Sequence, residues 1–411
     1  MTVLARRLGV SDAVVVGLGA MIGAGVFAAF APAARAAGSG LLLGLGTAAI
    51  VAYCNATSSA RLAARYPESG GTYVYGRERL GPFWGYLAGW AFVVGKTASC
   101  AAMALTVGSY VWPGHPHVVA VVAVVLLTGV NYAGVEKSAW LTRVIVAVVL
   151  AALAAVVVGC LTSSAADAGR LDVGSGTSLG GVLEAAGLLF FAFAGYARIA
   201  TLGEEVRDPS RTIPRAIPLA LGIALAVYAA VAVAVLSVLG AGRLAAATAP
   251  LADAVGAAGL PSLGSAVRGA AAVAALGSLL ALILGVSRTT LAMARDRRLP
   301  GALAAVHPRR RVPHRAELAV GLVVAVLAAT VDLRGAIGFS SFGVLAYYAI
   351  ANASAWTLGP DEGRPPRVIP AVGATGCLVL AFALPLTSVL TGAAVLAVGA
   401  VLYFGRRREP S

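Results

Sequence analysis

Apolar stretches separated by short polar or charged connections recur along the whole chain. They fall at about 12–37, 39–60, 83–112, 117–134, 139–161, 179–203, 214–240, 264–293, 316–332, 335–358, 367–385 and 387–404. Most approach or exceed the roughly 20 residues needed to cross a hydrocarbon core. Twelve such runs predict an all-α polytopic membrane protein with twelve transmembrane helices, because only helices of this kind satisfy their own backbone inside lipid. The connections are too short for a soluble domain. A semi-apolar piece of the connection at 240–264, AAATAPLADAVGAAG, reads as a short helix at the outer surface.

Composition agrees. Of 411 residues, 59% are hydrophobic and 12% charged, against about 25% charged in soluble domains. Mean hydropathy is +0.89. The net charge of +14 would suggest a nucleic-acid partner in a soluble protein, but its distribution argues otherwise. Of the 31 Lys and Arg residues, 24 lie in connections or at span ends on the side of the N-terminus, five in the corresponding places on the other side, and two, Lys96 and Arg198, are assigned to span interiors. That asymmetry alternates from loop to loop, places both termini in the cytoplasm by the positive-inside rule, and predicts a multi-pass plasma-membrane protein that binds no nucleic acid. The apolar segment behind the dozen N-terminal residues is too long for a cleavable signal peptide and lacks a clear cleavage site, so these residues are expected to lead straight into the first span. Cys54, Cys100, Cys160 and Cys377 lie in or beside apolar runs without metal-ligand spacing. They read as packed thiols, and neither a metal nor a cofactor is expected.

Two spans are internally weakened. The first carries GLGAMIGAGVF, Gly17–Phe27, with four glycines in eleven residues, although glycine costs a helix about 1 kcal/mol relative to alanine. The sixth reads LLFFAFAGYARIATLGEEV, with Gly195 in its middle. If spans one to five and six to ten are two repeats, the weak points correspond, and the odd repeat length inverts the second copy. Matched interruptions of this kind point to a transporter binding site. An unwound turn exposes N–H and C=O groups that survive in a bilayer only beside a cavity or ligand. The half-helix N-terminus suits a carboxylate, and the exposed carbonyls suit an ammonium. Small-residue helix packing is the competing reading of the same glycines.

At these residues the chain resembles the amino acid–polyamine–organocation (APC) superfamily of permeases. GAMIGAGVF, Gly19–Phe27, matches that family's first-helix pattern G-x-x-I-G-x-G-(I/V)-F. FFAFAGYARIATLGEEVRDPSRTIPRAI, Phe190–Ile217, matches its sixth helix and following loop. ESGGTYVY, LAMARDRRLPGALAAVHPRRRVPHRA and LAYYAIANASA match the loop after the second helix, the loop after the eighth, and the tenth helix. The likeness is strongest to prokaryotic cationic amino acid transporters and basic amino acid–polyamine antiporters. It implies a five-plus-five inverted-repeat core with discontinuous helices 1 and 6. The first repeat would cover 12–161, the second 179–358, and two additional helices 367–404. It implies alternating access, with the substrate carboxylate on the N–H groups around Gly23, Ala24 and Gly25. The substrate amine would meet carbonyls near Ala20, Met21 and Ile22 and in the stretch Phe191, Ala192, Phe193 and Ala194 leading to Gly195. Phe191 or Phe193 would close the outer side.

Departures from the pattern bear on substrate and coupling. Where many relatives carry an acid after the helix-six glycine, this chain has Tyr196-Ala197-Arg198, and Val149 stands where proton-coupled relatives have a lysine. Lys96 instead lies near the middle of the third span. A charge at that depth marks a functional site by default, so Lys96 is the candidate proton-coupling residue, with a structural cation on backbone carbonyls as the alternative. Arg198, Glu204 and Glu205 are candidates for gating or substrate contact, or for an interfacial charge cluster. Glu184 reads as solvated. With no acid at mid-depth, the preferred substrate is a neutral or broadly defined amino acid. A polyamine or cationic amino acid antiporter is the alternative. The partners expected are this small molecule and the bilayer, with oligomeric state open. The four histidines fall in loops and no catalytic motif occurs, so an enzyme is not expected. A channel and a nutrient sensor are further readings.

Overall fold

The computed structural model describes residues 8–67, 70–134, 139–174, 177–200 and 206–406. The helices, in chain order, are α1 (Val10–Met21), α2 (Gly25–Ala28), α3 (Phe30–Ala37), α4 (Leu41–Arg65), α5 (Thr72–Leu80), α6 (Pro82–Val111), α7 (Pro116–Tyr132) and α8 (Ala139–Leu161). They continue as α9 (Leu179–Phe193), α10 (Ala197–Ala200), α11 (Pro209–Ala246), α12 (Pro250–Ala257), α13 (Pro261–Arg295), α14 (His314–Thr330), α15 (Leu333–Trp356), α16 (Val368–Ala383) and α17 (Leu386–Arg406). Short 3-10 turns join some of them. A single isolated bridge, Leu8 with Val206, is the extended pairing among the described residues.

Among the described residues, each of the twelve apolar runs falls largely on helix. Nine helical segments among the described residues are long and apolar enough to cross a membrane. The remaining three runs correspond to α7, α14 and α16, of 17, 17 and 16 residues. At 1.5 Å per residue these reach about 25 Å, a turn short of an average hydrocarbon core.

Burial grades the helices from centre to rim. In α6, 89% of the most apolar window is buried, against 28% in α8 and in α17. α6 packs most extensively against α15 and α13. The α6–α15 contact is close because two glycines meet there: a Cβ on Gly343 would lie 2.9 Å from the Cα of Gly95. Ser99 and Ser340 hydroxyls pair across the same seam at 2.5 Å. Such small-residue and hydroxyl contacts are what hold helices together where lipid removes the hydrophobic drive. All four cysteines are buried free thiols, as packed thiols should be.

Short helices cover the ends of the bundle. α5 follows α4, and α12 follows α11, whose span ends at a kink at Gly240 with φ 67°. The expected helix in the 240–264 connection is α12, with Leu251, Ala252, Ala254 and Val255 buried. α5 is tied down by the Tyr73 hydroxyl donating to Asp296 at 2.5 Å and by the Thr72 N–H donating to the Tyr347 hydroxyl at 3.0 Å. Arg79 and Arg65 both reach Glu362 in the loop before α16. These two guanidiniums and the Gly359 N–H hold the Glu362 carboxyl well below the ordinary carboxylate range, to about 2. A depressed carboxyl stabilises the fold above its ordinary value and loses that effect as pH falls toward its folded value. Glu362→Gln is therefore expected to lower the melting temperature slightly near neutral pH, with the gap to wild type closing as pH falls from about 4.5 toward about 2. Melting curves of both proteins across that range test it.

Candidate functional site

The glycine-rich run breaks its helix where the pattern places the weakness. α1 ends at Met21, with the Ile22 N–H still donating to Leu18 O at 2.7 Å. Ile22, Gly23 and Ala24 fall in a bend between the helices, and α2 restarts at Gly25. Ala24 O accepts from the Phe27 and Ala28 N–H groups at 3.1 and 3.0 Å. A slight bend at Ala29 then leads into α3, one turn before Pro32, which has no N–H to give to Ala28 O. The N–H groups of Gly23, Ala24, Gly25 and Val26 have no hydrogen-bond partner among the described residues, and all four residues are buried. Buried backbone donors are paired in more than 90% of cases. Four consecutive unpaired ones form a patch suited to an anion.

The carbonyl side of the break is held from neighbouring helices. Gly19 O, which would have paired with the Gly23 N–H in an unbroken helix, accepts from the Ser278 hydroxyl of α13 at 3.0 Å. Met21 O accepts from the Tyr228 hydroxyl of α11 at 2.6 Å.

The second break is gentler. α9 ends at Phe193, the backbone tightens to 3-10 over Ala194–Tyr196, and α10 completes one turn. The two breaks press backbone against backbone. A Cβ on Gly195 would lie 2.5 Å from both C and O of Ala20, and one on Gly25 would lie 2.6 Å from the Cα of Ala192. A Cβ on Gly23 would strike the Ser278 side chain. Small-residue packing and an opened backbone are thus the same feature here. The glycines let the broken turns touch.

Tyr228 joins the two breaks. Its hydroxyl lies 2.6 Å from Met21 O and 2.9 Å from Ala192 O, and its ring meets Phe193 edge-on at 5.1 Å. Sequence reasoning missed it. The only signal was one hydroxyl in the apolar run LALGIALAVYAAVAVAVL, and such a group needs a partner when buried. Lys96, 7% exposed, also reaches the second break, donating from Nζ to Ala194 O at 3.3 Å.

The other expected residues are placed as follows. Phe193 is fully buried in the core against Tyr228. Phe191 is 8% exposed on α9. Arg198 is half-buried in α10. Glu204 and Glu205 lie outside the described residues. Glu184 does not stand alone in solvent, since its carboxylate accepts from Arg334 of α15 at 2.6 Å. Glu317, in the first turn of α14, is fully buried and neither of its oxygens has a hydrogen-bond partner among the described residues. At the end of the bundle that carries α12, a cleft of about 170 Å³ is lined by Arg35, Thr106, Asp332, Arg334, Phe27 and Tyr110. Those two rings meet edge-on at 5.6 Å, and the Tyr110 hydroxyl donates to Phe27 O at 3.0 Å.

A membrane-crossing helical bundle with an opened backbone at its centre has the construction of a small-molecule transporter. The chain belongs to the amino acid permease family, whose model matches residues 12–359. It is 76% identical over 404 residues to an uncharacterized transporter of Mycobacterium tuberculosis, covering 98% of this chain and 92% of that one. It is also similar to the branched-chain amino acid permease BcaP of Bacillus subtilis, 25% identical over 445 residues, covering 99% and 94% of the two chains. The human cationic amino acid transporter 4 is 29% identical over 391 residues, covering 89% of this chain and 61% of its own.

Proposed function

We propose that this protein is a secondary active amino acid transporter of the plasma membrane, working by alternating access as an exchanger or with a coupled proton. The observation that carries the reading is the run of unpaired buried N–H groups from Gly23 to Val26, beside the carbonyls of the same break and of the second. An α-amino acid presents one carboxylate and one ammonium at fixed separation. The carboxylate takes the N–H groups around Gly23, Ala24 and Gly25. The ammonium takes carbonyls from Ala20, Met21 and Ile22 and from Phe191, Ala192, Phe193 and Ala194, with Gly195 keeping the two sets close. The single Tyr228 proton serves only one of its two carbonyls at a time, which leaves the other oxygen for the ammonium.

Twelve spans with a five-plus-five inverted repeat accommodate the elements. The interrupted helices stand first and sixth. Two short helices stand in matching places, α5 between the second and third spans and α12 between the seventh and eighth. Positive-inside charge puts both termini in the cytoplasm, so α5 faces inward and α12 outward, as inversion requires.

Uptake of labelled amino acids and putrescine by proteoliposomes, with and without a pH gradient, tests the function. Amino acid uptake is expected. Transport of putrescine in preference to every amino acid would favour the polyamine antiporter instead. Lys96 is the proposed proton acceptor, and full pH-driven accumulation by Lys96→Ala in the same assay would remove it from that role.

A further inference from the structure

In its protonated form Lys96 is a buried ammonium with few partners. It carries three N–H donors, and the hydrogen bond it makes among the described residues is the 3.3 Å contact to Ala194 O. No carboxylate among the described residues lies within ion-pair distance of it. A buried cation is ordinarily paired with an anion, because desolvation otherwise makes it costly. Its position is equally specific. The carbonyl it holds belongs to the second break, two residues beyond the Ala192 carbonyl that Tyr228 holds and next to the Gly195 that rests on Ala20. A substrate seated by its carboxylate and ammonium on the two breaks projects its side chain into their surroundings, where the Lys96 donors stand.

We propose that Lys96 sets the substrate class: the site takes amino acids whose side chain ends in a carboxylate or amide oxygen and rejects those with a cationic side chain. The inference rests on the amino acid reading above. An acceptor oxygen completes the ammonium's unfilled hydrogen bonds, and a carboxylate also supplies the missing counter-charge. A lysine or arginine side chain would set two positive charges together in a low-dielectric site with no anion among the described residues to share, a repulsive element of the kind that enforces specificity. A lysine that served only to tie down the Ala194 carbonyl would leave the order of substrates untouched.

The purified full-length protein in proteoliposomes is given labelled glutamate, glutamine, leucine or arginine. Wild type is expected to take up glutamate and glutamine at least about tenfold faster than arginine, a difference of about 1.4 kcal/mol. Lys96→Met is expected to lower the glutamate-to-leucine uptake ratio at least tenfold. Should Lys96→Met fail to fold, thermal stabilisation of the detergent-solubilised wild type by glutamate and not by arginine is the equivalent expected result. Arginine uptake or stabilisation equal to that of glutamate in wild type overturns the inference and leaves the amino acid transporter standing. An unchanged glutamate-to-leucine ratio in Lys96→Met overturns it likewise. Failure of all four compounds to be transported or to stabilise the protein overturns both readings.

Discussion

Gly25→Val is expected to abolish uptake while the protein still inserts and purifies as a folded bundle. The first atom added, Cβ, would lie 2.6 Å from the Cα and 2.7 Å from the Cβ of Ala192. Both are fixed parts of α9, so no flexible side-chain end can yield. Overpacking of this kind costs about 1–3 kcal/mol, and it is relieved by separating the two breaks. The N–H groups on one side and the carbonyls on the other then no longer meet the same small molecule. Even the lower half of that range corresponds to roughly a tenfold loss of affinity, and loss of the second set of contacts compounds it. Uptake in proteoliposomes, read beside the size-exclusion profile and melting temperature, separates this from misfolding. Wild-type uptake by a folded Gly25→Val protein would show that the broken turns do not carry the substrate.

Tyr228→Phe is expected to weaken substrate affinity about tenfold or more and to lower the melting temperature by roughly a few degrees. The ring and its edge contact with Phe193 remain, and only the hydroxyl between Met21 O and Ala192 O is lost. An unsatisfied buried acceptor costs about 1–3 kcal/mol. Here the cost falls on the two carbonyls that orient the breaks toward one another. A KM equal to that of wild type would reduce Tyr228 to a packing residue.

Much of the fold was legible because its signals are local. Each apolar run needs only its own composition to become a helix in lipid. The weak point in Gly17–Phe27 was legible for the same reason, since helix propensity is summed over neighbours. The unpaired N–H groups follow from that break. Lys96 stood out as a charge in an apolar span, although its Ala194 partner is 98 residues away. Tyr228 did not stand out, because one tyrosine in a valine- and alanine-rich helix is ordinary until its partners, 207 and 36 residues distant, are known. The partner of Glu184 did not stand out for the same reason: Arg334 lies 150 residues further on.

By itself the sequence determined that this chain lives in a membrane and where its first helix opens, because each depends on the chemistry of consecutive residues. Only the tertiary structure decided what the opened backbone meets. Gly25 and Gly195 are glycine because another backbone lies where their side chains would be. Ser278, Tyr228 and Lys96 matter because folding brings one hydroxyl, a second hydroxyl and an ammonium to carbonyls that the broken helices leave exposed. Contacts of that kind are made between distant segments, and no stretch of the chain carries them alone.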